Sequence, residues 1–279
     1  MEALQDIIKK QVNLPSPPII IQKLQSCMAE SDVGSHELAQ IIETDQSFTA
    51  RILRLVNSPF YGFAGKIVSV EEAITMLGQT TVHQMLLATS LLNTIKIENK
   101  ALDLNSFWMH SFGVGVLAKN LLFKRGKDLQ NEGFLGGILH DIGRLIFVRL
   151  DPARFMRFYT ANASAIDLQA EKKYFGIDHE KLGEILAKKW NFPESISTAI
   201  AYHHSPLETS KHQILVAAVN IANMLAHALA VGKSGNYYVS DFYPETWRAF
   251  ELSMDELEVV LKRSLTEIDK SRSMLNELS

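Results

Sequence analysis

The segment Phe134–Val148 reads FLGGILHDIGRLIFV, and it decides how the rest of the chain is interpreted. Apolar residues fall on every side of a helix drawn with this sequence, which predicts a helix buried in the middle of a domain. His140 and Asp141 stand at its centre. Burying a carboxylate is unfavourable unless it is paired or coordinates a metal. The segment therefore predicts either an ion pair with Arg144 or a metal ion in the core of the fold.

On both sides of this segment, apolar residues recur at helical spacing and strand-like alternation is nearly absent. Capped helix starts are predicted at Asp45, at Ser69 with Glu72, at Asp151-Pro152, at Asp178 and at Ser253 with Glu256. The sequence therefore predicts an all-α protein. A polar stretch near 97–104 divides it into an N-terminal helical lobe, residues 1–98, and a C-terminal helical lobe, residues 99–279. The last amphipathic helix is expected to pack within the chain.

The overall charge and the single cysteine exclude several functions. Lys and Arg number 28 and Asp and Glu 31, which gives a net charge of -3, and a nucleic-acid partner normally requires a basic excess. Cys27 alone cannot form a disulfide framework or a cysteine-based metal site. The uncharged stretch 214–232 contains Asn220, Asn223 and His227, which favours a buried helix over a membrane span. Without a secretory signal, the protein is expected to be cytoplasmic.

The distribution of the nine histidines favours a metal site. Five of them lie beside apolar segments: His110, His140, His179, His203 and His204. The others are predicted to lie at the surface or, for the last of them, to pack in its own helix: His36, His83, His212 and His227. A lone buried histidine is more often a hydrogen-bonded core residue than a ligand, but five beside a buried aspartate are less easily explained separately. Imidazole and carboxylate ligands suit Fe, Mn, Zn or Ni, as one or two ions. The alternative is that these are core histidines and no metal binds.

Several spaced motifs resemble a known family. His140-Asp141-Ile142-Gly143, with His110 earlier in the chain, resembles the HD superfamily of metal-dependent phosphohydrolases. Residues 10–230 resemble the HDOD family in particular, through motifs that include Ile42-Glu-Thr-Asp45, Ala50-Arg-Ile-Leu-Arg-Leu-Val-Asn57-Ser58-Pro59-Phe60, Tyr174-Phe-Gly176-Ile-Asp-His179, Trp190-Asn-Phe-Pro193 and His203-His204-Ser-Pro206. The resemblance implies a bacterial signal-transduction module of helices whose C-terminal lobe is an HD-like bundle. Most such modules have no demonstrated activity.

The resemblance also implies a ligand set. The pattern of the related HD-GYP phosphodiesterases, which hydrolyse cyclic di-GMP at a site of two or three metals, falls on His110, His140, Asp141, His179, His203 and His204. Four departures accompany it. Asn223 stands where the superfamily has its last aspartate, and Ser106 stands where some HD-GYP proteins have a further glutamate. Arg144 replaces a lysine, and His203-His204 is not followed by a Gly-Tyr-Pro loop.

Two functions follow from these observations. The first is a signalling module that acts by binding a signalling protein in trans, is weakly catalytic or non-catalytic, and carries a mononuclear or dinuclear metal site. The second is a metal-dependent phosphohydrolase or phosphodiesterase that acts on a nucleotide or signalling phosphate. In the second, Asp141 would bridge the metals and Arg144 would contact the phosphate.

Overall fold

The computed structural model describes residues 14–29, 33–57, 63, 66–95, 102–161, 167–234 and 243–276. All regular secondary structure in these ranges is helical, which confirms the all-α prediction. The chain forms two compact units. The smaller is Ser16–Thr94, and the larger comprises the residues that follow it together with Leu14 and Pro15, which precede it.

The described residues of the smaller unit form five helices: α1 Ile19–Met28, α2 Ser35–Glu43, α3 Gln46–Val56, α4 Val70–Leu77 and α5 Gln79–Thr94. The starts of α3 and α4 are those predicted from the sequence. Asp45 Oδ1 accepts hydrogen bonds from the backbone N–H groups of Ser47 and Phe48, and Ser69 Oγ accepts one from Glu72 N–H. Gly78, at a φ of 85°, ends α4. Each cap satisfies a backbone donor that the helix itself cannot.

His83 corrects one prediction. The sequence placed this residue at the surface, but on α5 it is mostly enclosed and lines a small apolar cavity with Leu24 and Leu86. Its Nε2 has no hydrogen-bond partner among the described residues. Burial lowers the pKa of His83 from 6.5 to about 4. The prediction was based on the polar residues next to His83 in the sequence. In the structure, α5 places the His83 side chain on the side that faces α1.

The larger unit contains ten α-helices among its described residues: α6 Leu104–Leu121, α7 Lys127–Leu139, α8 Ile142–Leu150, α9 Pro152–Ala161, α10 Leu168–Phe175, α11 His179–Lys189, α12 Glu194–Tyr202, α13 Gln213–Ala228, α14 Pro244–Arg248 and α15 Met254–Asn276. α6 is central, since α7, α13 and α15 all pack on it. The final helix therefore packs within the chain, as predicted, and begins at a capping box of Ser253 and Glu256.

The continuous helix predicted over Phe134–Val148 is wrong at its centre. α7 ends at Leu139, His140 and Asp141 form a turn, and α8 starts at Ile142. Burial of the segment is confirmed, because every residue from Ile142 to Val148 is buried. The break lets two polar side chains leave the apolar helix surfaces and face one interior point, which a continuous helix would not allow.

The start of the described chain is fastened to the larger unit. Trp190, fully buried, donates from its indole Nε1 to the carbonyl of Pro15 at 2.8 Å. Lys189 Nζ donates to the carbonyl of Leu14 at 2.9 Å. These bonds satisfy two backbone acceptors and give a buried indole the partner that it needs.

The apolar stretch 214–232 forms the buried helix α13 and the turn that follows it. Ten side chains of α13 are buried, including Asn220 and Asn223. Within the part of the chain that the structure describes, no helix is both long enough and apolar enough to cross a bilayer.

Candidate metal centre

All six predicted metal ligands meet at one place in the larger unit. His110 comes from the middle of α6, His140 and Asp141 from the turn between α7 and α8, and His179 from the first turn of α11. His203 and His204 follow the end of α12. Asp178 fixes the start of α11, because its Oδ1 accepts a hydrogen bond from Lys181 N–H at 2.7 Å.

The ligands form two donor sets that share one carboxylate. The first set is Asp141, His179, His203 and His204, and the second is His110, His140 and Asp141. Within each set the ligand atoms lie within 4.8 Å of one another. All are buried except His204, which is partly exposed. A carboxylate shared in this way is suited to bridging two ions.

The imidazole rings are fixed through their outer nitrogens. In three of them Nδ1 donates to a backbone carbonyl, at 3.2 Å from His110 to Val231, 2.7 Å from His140 to Gly137 and 2.9 Å from His203 to Ile200. The fourth differs, because His179 Nδ1 donates to the carboxylate of Glu171 at 2.6 Å. With Nδ1 committed outward, each ring presents Nε2 to the interior.

Three atoms at the centre of the site, in His140 and Asp141, lack ordinary hydrogen-bond partners among the described residues. His140 Nε2 lies 3.2 Å from Asp141 Oδ2, and His179 Nε2 lies 3.2 Å from Asp141 Oδ1. Neither these Asp141 oxygens nor His140 Nε2 has a hydrogen-bond partner of good geometry among the described residues. Converging nitrogen and carboxylate lone pairs of this kind fit a divalent transition metal.

The shifted pKa values of several site residues favour the binding of a cation. Burial lowers the pKa of His203 to about 3 and lowers the pKa of His110 and His204 well below the usual range. Burial alone would raise the pKa of Asp141, but the Arg144 guanidinium and the imidazole of His140 hold it well below its usual value. His110, His203 and His204 are thus neutral and Asp141 is ionised, which are the forms that bind metals.

Arg144 lies behind Asp141. Its Nε is 3.2 Å from Asp141 Oδ1, and its other end donates to the hydroxyl and the carbonyl of Ser234 at 2.8 and 3.2 Å. The guanidinium is buried and is occupied by these partners. The predicted role of phosphate contact stays a prediction, while the geometry supports a role in holding the Asp141 carboxylate.

Asn223 lies where the sequence analysis expected it. From α13 its Oδ1 is 3.0 Å from His110 Nε2, so a neutral amide completes the second donor set. His227, one turn further along α13, lies with its ring 4.5 Å from that of His110. It packs as predicted, but its closeness to the metal centre was missed, although its spacing of four residues from Asn223 was a signal.

Two close backbone approaches hold the ligands in place. A Cβ on Gly143 would lie 2.0 Å from the carbonyl oxygen of His179, so only glycine lets α8 approach the start of α11. Gly232 has a φ of 64°, and a Cβ there would lie 2.3 Å from His110 N. This turn aims the Val231 carbonyl at the imidazole of His110.

Two buried carboxyl groups near the ligands carried no clear sequence signal. Glu171 on α10 accepts hydrogen bonds from His179, and Glu180 on α11 accepts one from the backbone N–H of His204 at 2.7 Å. Burial raises the pKa of Glu180 well above its usual value. For Glu171, burial acts in the same direction, but the imidazole of His179 outweighs it and lowers the pKa.

Comparison with known proteins gives a consistent result. Residues 14–206 match the HDOD domain. The whole chain superposes on an HDOD domain protein with unknown function from Geobacter sulfurreducens, at 26% identity and a TM-score of 0.76, covering 99% of that chain. It also superposes in full on a candidate phosphohydrolase from Shewanella amazonensis, at 23% identity and a TM-score of 0.77, covering 98% of that chain. The second likeness shows the fold alone.

A curated relative is longer than this chain. An uncharacterized protein of Treponema pallidum is 24% identical over an alignment of 226 residues, which covers 76% of this chain and 42% of that protein. The chain therefore spans less than half the length of the curated relative that it matches.

Proposed function

The chain belongs to the HDOD domain family, and we propose that it is a signal-transduction module that acts through a protein partner and does not turn over a substrate efficiently. The observation that carries the proposal is Asn223, whose amide oxygen lies beside His110 Nε2. Hydrolytic members of the superfamily have an aspartate in this place. An amide is neutral and is a poorer ligand for a catalytic metal.

The charge of the ligand set supports the same proposal. Asp141 is its only carboxylate, and Arg144 already lies 3.2 Å from one of the Asp141 oxygens. Two divalent ions would leave a large uncompensated positive charge in a buried site, which is costly. One ion is therefore the occupancy that the donors favour, whereas two-metal hydrolysis of phosphoesters needs both.

In this proposal the metal has a structural role. The ligands come from α6, the turn before α8, the start of α11 and the end of α12. A bound ion would hold these elements together, and its loss would loosen them. The partner is proposed to be a signalling protein in the cytoplasm. Neither a nucleic acid nor a membrane is part of the proposal, in keeping with the net charge of -3.

A metal analysis combined with one substitution tests the proposal. We expect about one equivalent of transition metal in protein purified without chelator, and no hydrolysis of bis(p-nitrophenyl) phosphate above background. Asn223→Asp should raise the metal content toward two equivalents and increase hydrolysis, because it adds a carboxylate to the second donor set. Efficient hydrolysis by the unmodified protein would overturn the proposal.

The second candidate function is a metal-dependent phosphohydrolase. The observation that favours it is the sharing of Asp141 by two donor sets, which is the arrangement that a dinuclear centre requires. Ions bound there would supply Lewis-acid activation of a phosphate and of water. Two equivalents of metal in the unmodified protein, with hydrolysis lost in His110→Ala while the fold is retained, would favour this function.

A further inference from the structure

One of the four inward-facing imidazoles with a resolved Nδ1 contact has a partner of a different kind. His110, His140 and His203 donate from Nδ1 to backbone carbonyls, with Glu180 Oε1 a further 3.5 Å neighbour of His203 Nδ1. His179 instead donates its Nδ1 proton to the carboxylate of Glu171 at 2.6 Å. We propose that Glu171 is a positioning residue that makes the two halves of the metal centre unequal, so that the first ion binds to Asp141, His179, His203 and His204.

The geometry around Glu171 is closely defined. Its Oε2 accepts two hydrogen bonds from His179, one from the backbone N–H at 2.8 Å and one from Nδ1 at 2.6 Å. Its Oε1 accepts a third from the hydroxyl of Tyr159 at 3.0 Å. Glu171 and His179 are each 1% exposed and Tyr159 is 8% exposed. Both carboxylate oxygens are therefore fixed, and so is the plane of the His179 ring.

A charged partner changes the ligand that it holds. A carboxylate that accepts the Nδ1 proton of an imidazole increases the basicity of Nε2 and orients it toward the metal. A backbone carbonyl orients the ring but adds no charge. His179 Nε2, which lies 3.2 Å from Asp141 Oδ1, is thus the most strongly donating imidazole nitrogen of the first donor set.

The second donor set has no equivalent support. His110 and His140 both rely on backbone carbonyls, and the amide of Asn223 stands beside His110. Both sets share Asp141, so the shared carboxylate cannot favour either one. The difference between them rests on Glu171 on one side and on Asn223 on the other, and both differences favour the first set.

The inference rests on the proposed binding of metal. Titration of the full chain with Co²⁺ tests metal binding and the role of Glu171 separately. Protein stripped with chelator and dialysed is titrated while the visible absorption of Co²⁺ is recorded. Glu171→Gln keeps an oxygen that can accept the Nδ1 proton but removes the charge. We expect the affinity for the first equivalent to fall roughly tenfold to a hundredfold, with altered absorption bands. Binding of any second equivalent should be little changed.

The adjacent part of α11 offers a matched control. Glu184 lies on this helix, and its carboxylate pairs with the exposed side chains of Lys181 and Lys188. Glu184→Gln should therefore leave the Co²⁺ titration unchanged. Tyr159→Phe removes one hydrogen bond from Glu171 and keeps the ring that packs on Phe155, and it should weaken the first equivalent by a few fold.

The outcomes distinguish the two proposals. If the unmodified protein binds no Co²⁺, Mn²⁺ or Zn²⁺, the metal-binding module itself is wrong, and this inference is wrong with it. If metal binds and Glu171→Gln titrates like the unmodified protein, only the inference is overturned. If Glu171→Gln does not fold, the Tyr159→Phe titration decides, and an unchanged affinity in that variant overturns the inference.

Discussion

At the scale of single residues, Asp141 is balanced by Arg144 when no metal is bound. The carboxylate is 1% exposed and the guanidinium 1% exposed, with 3.2 Å between Oδ1 and Nε. Removing one member of a buried pair leaves the other without compensation and costs about 3–5 kcal/mol. The metal and Arg144 therefore act on the same carboxylate from two sides.

Arg144→Met should lower the free energy of unfolding by about 3 kcal/mol in the presence of EDTA. The loss should be smaller with saturating Mn²⁺, because the ion compensates the charge of Asp141. Urea denaturation of the full chain under both conditions measures the difference. Arg263→Met, which removes a surface pair with Glu267, is the control and should cost less than about 1 kcal/mol. An equal loss for Arg144→Met under both conditions would contradict this balance.

The six candidate ligands, which the structure brings together, could be identified from sequence, whereas the residues that support them could not. His140 and Asp141 were identified because they are polar residues inside an apolar segment, and the family motifs identified the other candidate ligands. Glu171 accepts a hydrogen bond from His179, which lies on a different helix. Val231 supports His110 through its backbone carbonyl, which every residue type possesses. Such contacts depend on how helices and turns are placed, and the local sequence does not record that.

At the scale of helices, several starts with a side-chain cap were predicted from sequence, whereas the break between α7 and α8 was not. Asp45, Asp178 and Ser253 each accept a hydrogen bond from a backbone N–H of the helix that they begin. The break at His140 and Asp141 has no such cap. It results from packing, because α7 lies on α6 while α8 lies on α11.

The approach of α8 to α11 gives a prediction for Gly143. Gly143→Ala would place a Cβ 2.0 Å from the carbonyl oxygen of His179, so the two helices must separate. We expect a loss of about 1–3 kcal/mol in unfolding free energy, together with weaker metal binding, since His179 moves with α11. Gly34→Ala, where nothing lies within 4 Å, is the control. If Gly143→Ala is destabilised but its metal affinity is unchanged, the packing of α8 on α11 does not position His179 for metal binding.

At the scale of the whole molecule, buried imidazoles should make the protein sensitive to acid. Burial lowers the pKa of His83 and His227 to about 4 each and that of His203 to about 3. The unfolded chain takes up these protons near pH 6.5, so it binds more protons than the folded chain below that pH. Stability is therefore complete above pH 6.5 and falls as the pH decreases toward 4.

His83 permits a test away from the metal centre. Each such group contributes at most about 1.4 kcal/mol per pH unit in this window. His83→Leu removes the group and keeps an apolar side chain in a cavity lined by Leu24 and Leu86. The drop in melting temperature between pH 7 and pH 5, measured with EDTA, should be smaller in this variant. His36→Gln, at an exposed position, should not change it. An unchanged drop in His83→Leu would mean that this imidazole is hydrated in the folded state.

The bond between Trp190 and Pro15 has a consequence for how the chain is made. Its two residues are separated by 175 positions, and the smaller unit lies wholly between them. During synthesis Leu14 and Pro15 are made before α11, so their carbonyls lack these hydrogen-bond donors until α11 has also been made. The sequence of the smaller unit, in contrast, is complete long before. A nascent chain that ends before Trp190 therefore lacks the partner of the Pro15 carbonyl, and this bond can form only after α11 has been made.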